Sequence, residues 1–174
     1  EHDPLASAIL ITTSQRLAEE VKKHIESELK KLPRKAVIAE SLKSRGLIAT
    51  VASMEQAIEL ANLYAPEHLC LMVKKAPEYI NRLTNAGCIF VGEKSSVVLG
   101  DYIAGPSHVL PTGGTARFSS PLNVNNFIKI TNLVSIDEAS LKELSRAVEI
   151  LARAEGLEAH ARAVEKRVGG KTND

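Results

Sequence analysis

The sequence predicts an α/β fold, a mostly parallel sheet with helices on its faces, followed by a helical C-terminal tail. Three observations carry this reading. Short apolar runs alternate with amphipathic stretches between Ala8 and Val91, the pattern of parallel strands joined by helical crossovers. A run punctuated by glycine and proline, Gly100 to Phe118, then breaks the alternation. Beyond it, apolar residues recur at helical spacing toward the end of the chain.

Each element has its own local reason. Ala8-Ile9-Leu10-Ile11 is strand-sized, and Thr12-Thr13-Ser14 behind it offers hydroxyls for a helix N-cap. Leu17, Val21, Ile25 and Leu29 recur every four residues and mark an amphipathic helix ending near Pro33. Lys35 to Ser44 predicts a second helix, stopped by Gly46. Leu47 to Val51 reads as a strand, and Ser53 caps a helix carrying Met54, Ala57, Ile58 and Ala61. Leu69 to Val73 is the third strand. Pro77, well suited to a first turn, opens a helix through about Thr84, and Cys88 to Val91 is the fourth strand. Val124 to Val134 fits neither period. Ser135 and Glu138 have capping-box spacing ahead of the stripe Leu141, Leu144, Val148 and Leu151. Gly156 ends or kinks that helix, and Leu157, His160, Ala161, Val164 and Val168 make a second, narrower stripe. The last residues, from Gly169, are expected to fray. The division expected is an α/β domain over residues 1–120 and a helical tail over 121–174. No internal repeat or low-complexity segment interrupts it.

Composition narrows the function classes. A chain of 174 residues with 44% hydrophobic and 25% charged residues suits one globular domain, or one with an appendage. Lys+Arg 22 against Asp+Glu 21 leaves +1, so no basic footprint points to nucleic acid. Aromatic residues are only 3%, without Trp, which disfavours base-stacking platforms. The apolar runs are strand-sized, too short to span a bilayer, and no secretory leader is expected ahead of them. Cys70 and Cys88 lack CxxC spacing and lie in apolar runs, so they are expected to be buried thiols of a reducing compartment. The chain reads as cytoplasmic. It begins at Glu1 and enters a strand-like run almost at once, as a piece of something longer would.

The chemistry-bearing side chains fall into a few places. Glu67-His68 is a candidate general acid–base pair, or simply two solvated residues of an ordinary αβ loop held by Pro66. Gly100–Phe118 supplies a carboxylate (Asp101), a phenol (Tyr102), an imidazole (His108) and a guanidinium (Arg117) on a shaped loop, where functional groups concentrate. Ligands of open α/β sheets sit at the carboxyl ends of strands. Asp101 obeys that rule, whereas Glu67 and His68 enter their strand at its opposite end, so these groups are expected to share a site only across a domain or subunit boundary or through an unusual topology. Histidine and aspartate suit zinc, but no pair has helical i, i+4 ligand spacing. Thr112-Gly113-Gly114-Thr115 lacks the glycine spacing of a phosphate loop and reads as a turn. His24 reads as a surface residue beside Lys22-Lys23, His160 as an interface histidine, and His2 as a terminal residue.

Taken in order, EHDP at Glu1–Pro4, APEHL at Ala65–Leu69, GDYIAGPSHVLPTGG at Gly100–Gly114, ARFSSPL at Ala116–Leu122 and AEGLEAHARAV at Ala154–Val164 resemble the C-terminal part of the histidinol dehydrogenase family. The resemblance spans essentially the whole chain. It implies one incomplete Rossmann-like half. It also implies NAD-dependent, zinc-containing oxidation of L-histidinol to L-histidine through an aldehyde-level intermediate. On the matching motifs, Glu67 and His68 are implied to be catalytic, His68 shuttling protons and Glu67 activating the water that hydrates the aldehyde. Asp101, His2 and His160 are implied zinc ligands. His68, Asp101, His108, Glu155 and His160 are implied to bind substrate. Glu155 and His160 would reach the partner subunit's site, making the tail dimer-forming and the protein a homodimer with shared sites. No NAD-binding residue falls in this segment, which by itself is expected to be inactive. The family's zinc site also uses a glutamine just upstream of the EH pair, before Glu1. An acidic residue common ahead of GDY is replaced here by Ser95-Ser96-Val97-Val98. The alternative is a non-catalytic metal- or ligand-binding α/β fragment that needs further chain to do chemistry.

Overall fold

The computed structural model describes residues 1–169; of the end expected to fray, Gly169 closes the last helix and 170–174 lie outside the described residues. Contacts divide the chain into two compact units, Glu1–Phe127 and Ile128–Asp174. The first unit is α/β. Its elements run β1 (Ala8–Thr12), α1 (Gln15–Leu29), α2 (Lys35–Arg45), β2 (Gly46–Thr50), α3 (Met54–Tyr64), β3 (His68–Leu71), a 3-10 helix (Ala76–Arg82), β4 (Cys88–Val91) and α4 (Val97–Tyr102). Pairing is parallel throughout, with Ala8 opposite Gly46 in β1–β2 and His68 opposite Cys88 in β3–β4. The four strands form two separate two-stranded sheets rather than one continuous sheet. Each pair is closed by its own crossover, α1 with α2 in the first and the 3-10 helix in the second, as parallel pairing requires.

Local chemistry sets the helix starts. Ser14 Oγ accepts the Leu17 amide at 3.2 Å and Ser53 Oγ accepts that of Gln56 at 3.3 Å, so both hydroxyls cap the helices they precede. The helix opened by Pro77 winds as a 3-10 helix. Its three-residue period places Ala76 and Tyr79 on one line, and both face the core of Ile58, Leu71 and Leu83. Burial of that line outweighs the better hydrogen bonds of an α-helix.

Alternation along β3 and β4 divides their side chains between two faces. Leu69, Leu71, Ile89 and Val91 join the core beside α3. His68, Cys70, Cys88 and Phe90 take the other face. Cys70 is consequently exposed and Cys88 half-buried, correcting the expectation of buried thiols; both are free. His68 is the first residue of β3 rather than part of the preceding loop.

That second face is covered by a reversal of the chain. β4 is about 10 Å long at 3.3 Å per residue, and α4 runs back roughly 8 Å at 1.5 Å per residue. Gly92, at φ +82°, makes the turn, and Ser95 Oγ donates to the Val91 carbonyl at 2.8 Å. The returning helix meets Phe90, only 7% exposed, where it carries no side chain: a Cβ on Gly100 would lie 2.4 Å from Phe90 Cε1.

In the second unit, α5 (Glu138–Ala154) and α6 (Glu158–Gly169) pack on each other across a turn at Gly156, whose φ is +76°. Ala152 and Ala161 are buried, and Arg153 bridges Glu149 of its own helix to Glu158 and Glu165 of the next. The N-cap of α5 is Asp137, not the predicted Ser135: its carboxylate accepts the Ser140 amide at 2.8 Å. A charged acceptor at the helix's positive end outcompetes a hydroxyl two residues earlier. That amide bond holds the Asp137 carboxyl below its usual value of 3.8.

Two outcomes follow. Gly100→Ala forces Phe90 and α4 apart and should cost about 1–3 kcal/mol in chemical denaturation. Adding Phe90→Leu should make the pair cost less than the sum of the two single changes, whereas strict additivity would dissociate Gly100 from Phe90. Because Asp137 titrates lower when folded, its capping is complete above the ordinary carboxylate value and fades as pH falls through the depressed one. Circular dichroism between neutral and strongly acidic pH should show a smaller acid loss of helix for Asp137→Asn than for the parent.

Candidate functional site

The site forms where the α3–β3 corner, the β3–β4 pair and α4 meet. Met54 to Tyr64 wind as α3 until Ala65, which leaves the helix in the left-handed region at φ +54°. Pro66 and Glu67 follow, and His68 opens β3. Their backbone carbonyls are tied to the start of β4: the Gly87 amide donates to Pro66 at 2.9 Å and the Cys88 amide donates to Glu67 at 2.8 Å. Tight pairing here requires a residue without a side chain, since a Cβ on Gly87 would lie 2.7 Å from the Glu67 carbonyl oxygen.

His68 Nε2 and Asp101 Oδ1 are 3.1 Å apart. An ionised carboxylate only accepts, so Nε2 carries the proton it donates and Nδ1 is the ring nitrogen left to exchange one. The two side chains are 28% and 27% exposed. At that exposure an ion pair is worth about 1 kcal/mol or less; the contact orients the imidazole more than it stabilises the fold. The Phe90 ring, tilted 34° with its centroid 5.9 Å from that of His68, backs the imidazole from the buried side.

This contact revises the expectation that His68 and Asp101 belong to opposite ends of the sheet. They meet within one compact unit, without a boundary between domains or subunits, because α4 carries Asp101 back along β4 to the entry end of the strands. The rule locating ligands at strand carboxyl ends assumes a helix that leads away from the sheet edge, and α4 is instead a short return.

Around the pair stand two thiols. Burial raises the Cys88 pKa above its ordinary 9.0, and the neighbouring Asp101 charge adds to the effect. Partial desolvation of the sulfur by its neighbours likewise raises that of Cys70, exposed though the residue is, with Cys88 contributing. Both therefore remain thiols at neutral pH, poor nucleophiles and poor ligands.

Glu67 is exposed beside His68. His108 is exposed further along the segment after α4, and His2 is exposed before β1. Glu155 caps the end of α5 and His160 is exposed on α6, both in the second unit. Among the described residues, no three His, Cys, Asp or Glu side chains are placed to hold a metal ion. No helix among them is long and apolar enough to cross a membrane.

Sequence reasoning missed Phe90 and Gly100 as parts of the site. The signal was available: Phe90 lies two residues from Cys88 and so shares its face, and Gly100 directly precedes Asp101.

Comparison with known proteins gives this geometry a family. The family model described as histidinol dehydrogenase matches residues 1–168. A histidinol dehydrogenase of Dehalococcoides mccartyi strain CBDB1 is 54% identical over 168 residues, 97% of this chain and 38% of the relative. One from Prochlorococcus marinus is 46% identical over 174 residues, 100% of this chain and 40% of the relative. A crystal structure of histidinol dehydrogenase from Elizabethkingia anophelis superposes with a TM-score of 0.83 at 34% identity, covering 96% of this chain and 38% of that one. The chain thus spans about two fifths of the length of the curated relatives it matches. With its PEHL and GDY motifs joined through His68 and Asp101, the chain belongs to the histidinol dehydrogenase family.

Proposed function

We propose that these residues form part of a histidinol dehydrogenase active site that oxidises L-histidinol through the aldehyde to L-histidine. Family membership supports the reaction, and the single structural observation that favours it is the hydrogen bond between His68 and Asp101. Residues 33 positions apart, each in a motif of the family, share one edge of the β3–β4 pair.

The proton transfers assign roles to this chain's own groups. In the first oxidation, the alcohol loses a hydride from carbon and a proton from oxygen. His68 takes that proton on Nδ1 while Asp101 holds Nε2–H and stabilises the imidazolium that forms. The aldehyde then adds water. Glu67, an exposed carboxylate next in the chain, accepts a proton from the attacking water while His68 returns its own to the carbonyl oxygen, leaving a gem-diol, a neutral imidazole and a Glu67 that sheds its proton to solvent. In the second oxidation, His68 again takes a hydroxyl proton, and the carboxylic acid is released. NAD, when bound, accepts one hydride in each oxidation, and the reading places its site outside these residues. His108 is proposed as a substrate contact.

The resemblance assigns zinc to His2, Asp101 and His160. Among the described residues these donors do not assemble into a metal-holding group, and the proton transfers rest on His68, Asp101 and Glu67 alone. Glu155 and His160 are proposed to complete the site of a second copy in a homodimer. In favour of such an assembly, Ile130, Leu133 and Val134 are 83%, 88% and 81% exposed in the chain by itself, an apolar stretch of the kind that marks an interface.

In a full-length histidinol dehydrogenase carrying this segment, Glu67→Gln and His68→Asn should each lower kcat for histidinol oxidation by roughly 100-fold or more. Zinc content should stay at the parent level. Full turnover in both variants would refute the roles, and loss of zinc from His68→Asn would make His68 a ligand instead of a base.

A further inference from the structure

We infer that Arg117 is a positioning residue that holds Glu67 and His68 in place through the strained corner at Ala65. This rests on the roles proposed above for those two residues. The corner itself calls for restraint. Ala65 is only 2% exposed and sits at φ +54°, a region disfavoured for any residue with a Cβ. Pro66 behind it favours an extended predecessor, so Ala65 is strained twice over. Such backbone persists only where surrounding groups over-determine it.

The segment from Pro111 to Arg117, whose Thr112–Thr115 stretch reads as a turn in the sequence, supplies that restraint. Arg117 Nη2 donates to the carbonyl of Leu63, in the last turn of α3 and 54 residues away. Its Nη1 donates to the Gly114 carbonyl at 2.8 Å. One guanidinium therefore ties the segment's own turn to the helix end just before Ala65. A cation at a helix C-terminus also meets its negative end favourably. Gly114 makes the approach feasible: it is at φ +82°, and a Cβ there would lie 2.5 Å from Arg117 Nη1. On the other side, buried Pro111 presses on Gly87, where a Cβ would be 3.1 Å from Pro111 Cδ and 2.7 Å from the Glu67 carbonyl oxygen. The carbonyls of Leu63, Pro66 and Glu67 are thus all held from outside α3, by Arg117, Gly87 and Cys88. Only a planar fork reaches two carbonyls in this way; a lysine ammonium is a single point charge.

The test uses a full-length histidinol dehydrogenase carrying this segment. Arg117→Ala and Arg117→Lys should both lower kcat by roughly 10–100-fold while KM for histidinol stays within about threefold, the signature of misplaced reacting groups. Added guanidinium ion should restore part of the kcat of Arg117→Ala and none of that of Glu67→Gln. In the 174-residue chain, the Ala65 Cα and Cβ chemical shifts should move from left-handed toward extended values in both variants. Arg117→Lys carries the test if Arg117→Ala does not fold. A rise in KM alone would make Arg117 a ligand-binding residue and overturn the inference, as would an unmoved Ala65 with full kcat. Moved Ala65 shifts beside a fully active Glu67→Gln would instead sink the proposed roles and leave the clamp standing.

Discussion

Because Gly100 has no side chain, the backbone of α4 lies directly on Phe90, and the site follows from that approach. Phe90 is pressed between the helix above and the sheet below, with His68 at its edge. The next residue, Asp101, is then delivered to the imidazole. A methyl group at position 100 would demand space that a packed interior lacks. The opposite face of the same two strands is committed to the core around Ile58 and Leu71. Strand alternation therefore separates the two tasks: even-numbered residues of β3 and β4 build the site, and odd-numbered ones anchor it.

The energetics point the same way. The His68–Asp101 pair is partly exposed and too weak to hold its own geometry. Its position comes from backbone: the amides of Gly87 and Cys88 on the Pro66 and Glu67 carbonyls, the guanidinium on Leu63, and the reversal at Gly92. Polar side chains at the corner are thereby spared from structural work. Glu67 uses its main chain to hold the strands and keeps its carboxylate exposed.

Much of the fold was legible where the determining interaction is local. Ser14 and Ser53 announce helices because a hydroxyl next to three bare amides has an immediate partner. Cys88–Val91 is an apolar run of strand length between turn residues, and it is a strand. Legibility failed where competition or distance decided. Asp137 displaced Ser135 as cap because its carboxylate, two residues further on, accepts the Ser140 amide and starts the helix there. The stretch at Pro77 took the tighter winding because of the core it faces, which no window of sequence displays. Candidate site residues were legible as motifs, but which of the open routes, an unusual topology or a domain or subunit boundary, brings Asp101 to His68 was not.

The sequence by itself determined the α/β class, the strand and helix order and the two motifs that carry the acid–base chemistry, because periodicity, caps and residue type act within a few positions. The tertiary structure decided that the strands form two pairs, that Asp101 turns back to His68, and that Phe90, Gly87 and Arg117 serve the site. Those outcomes depend on contacts between residues 10 to 54 positions apart. Whether such groups meet is set by how closely two backbones can approach, and that distance is written in no single segment.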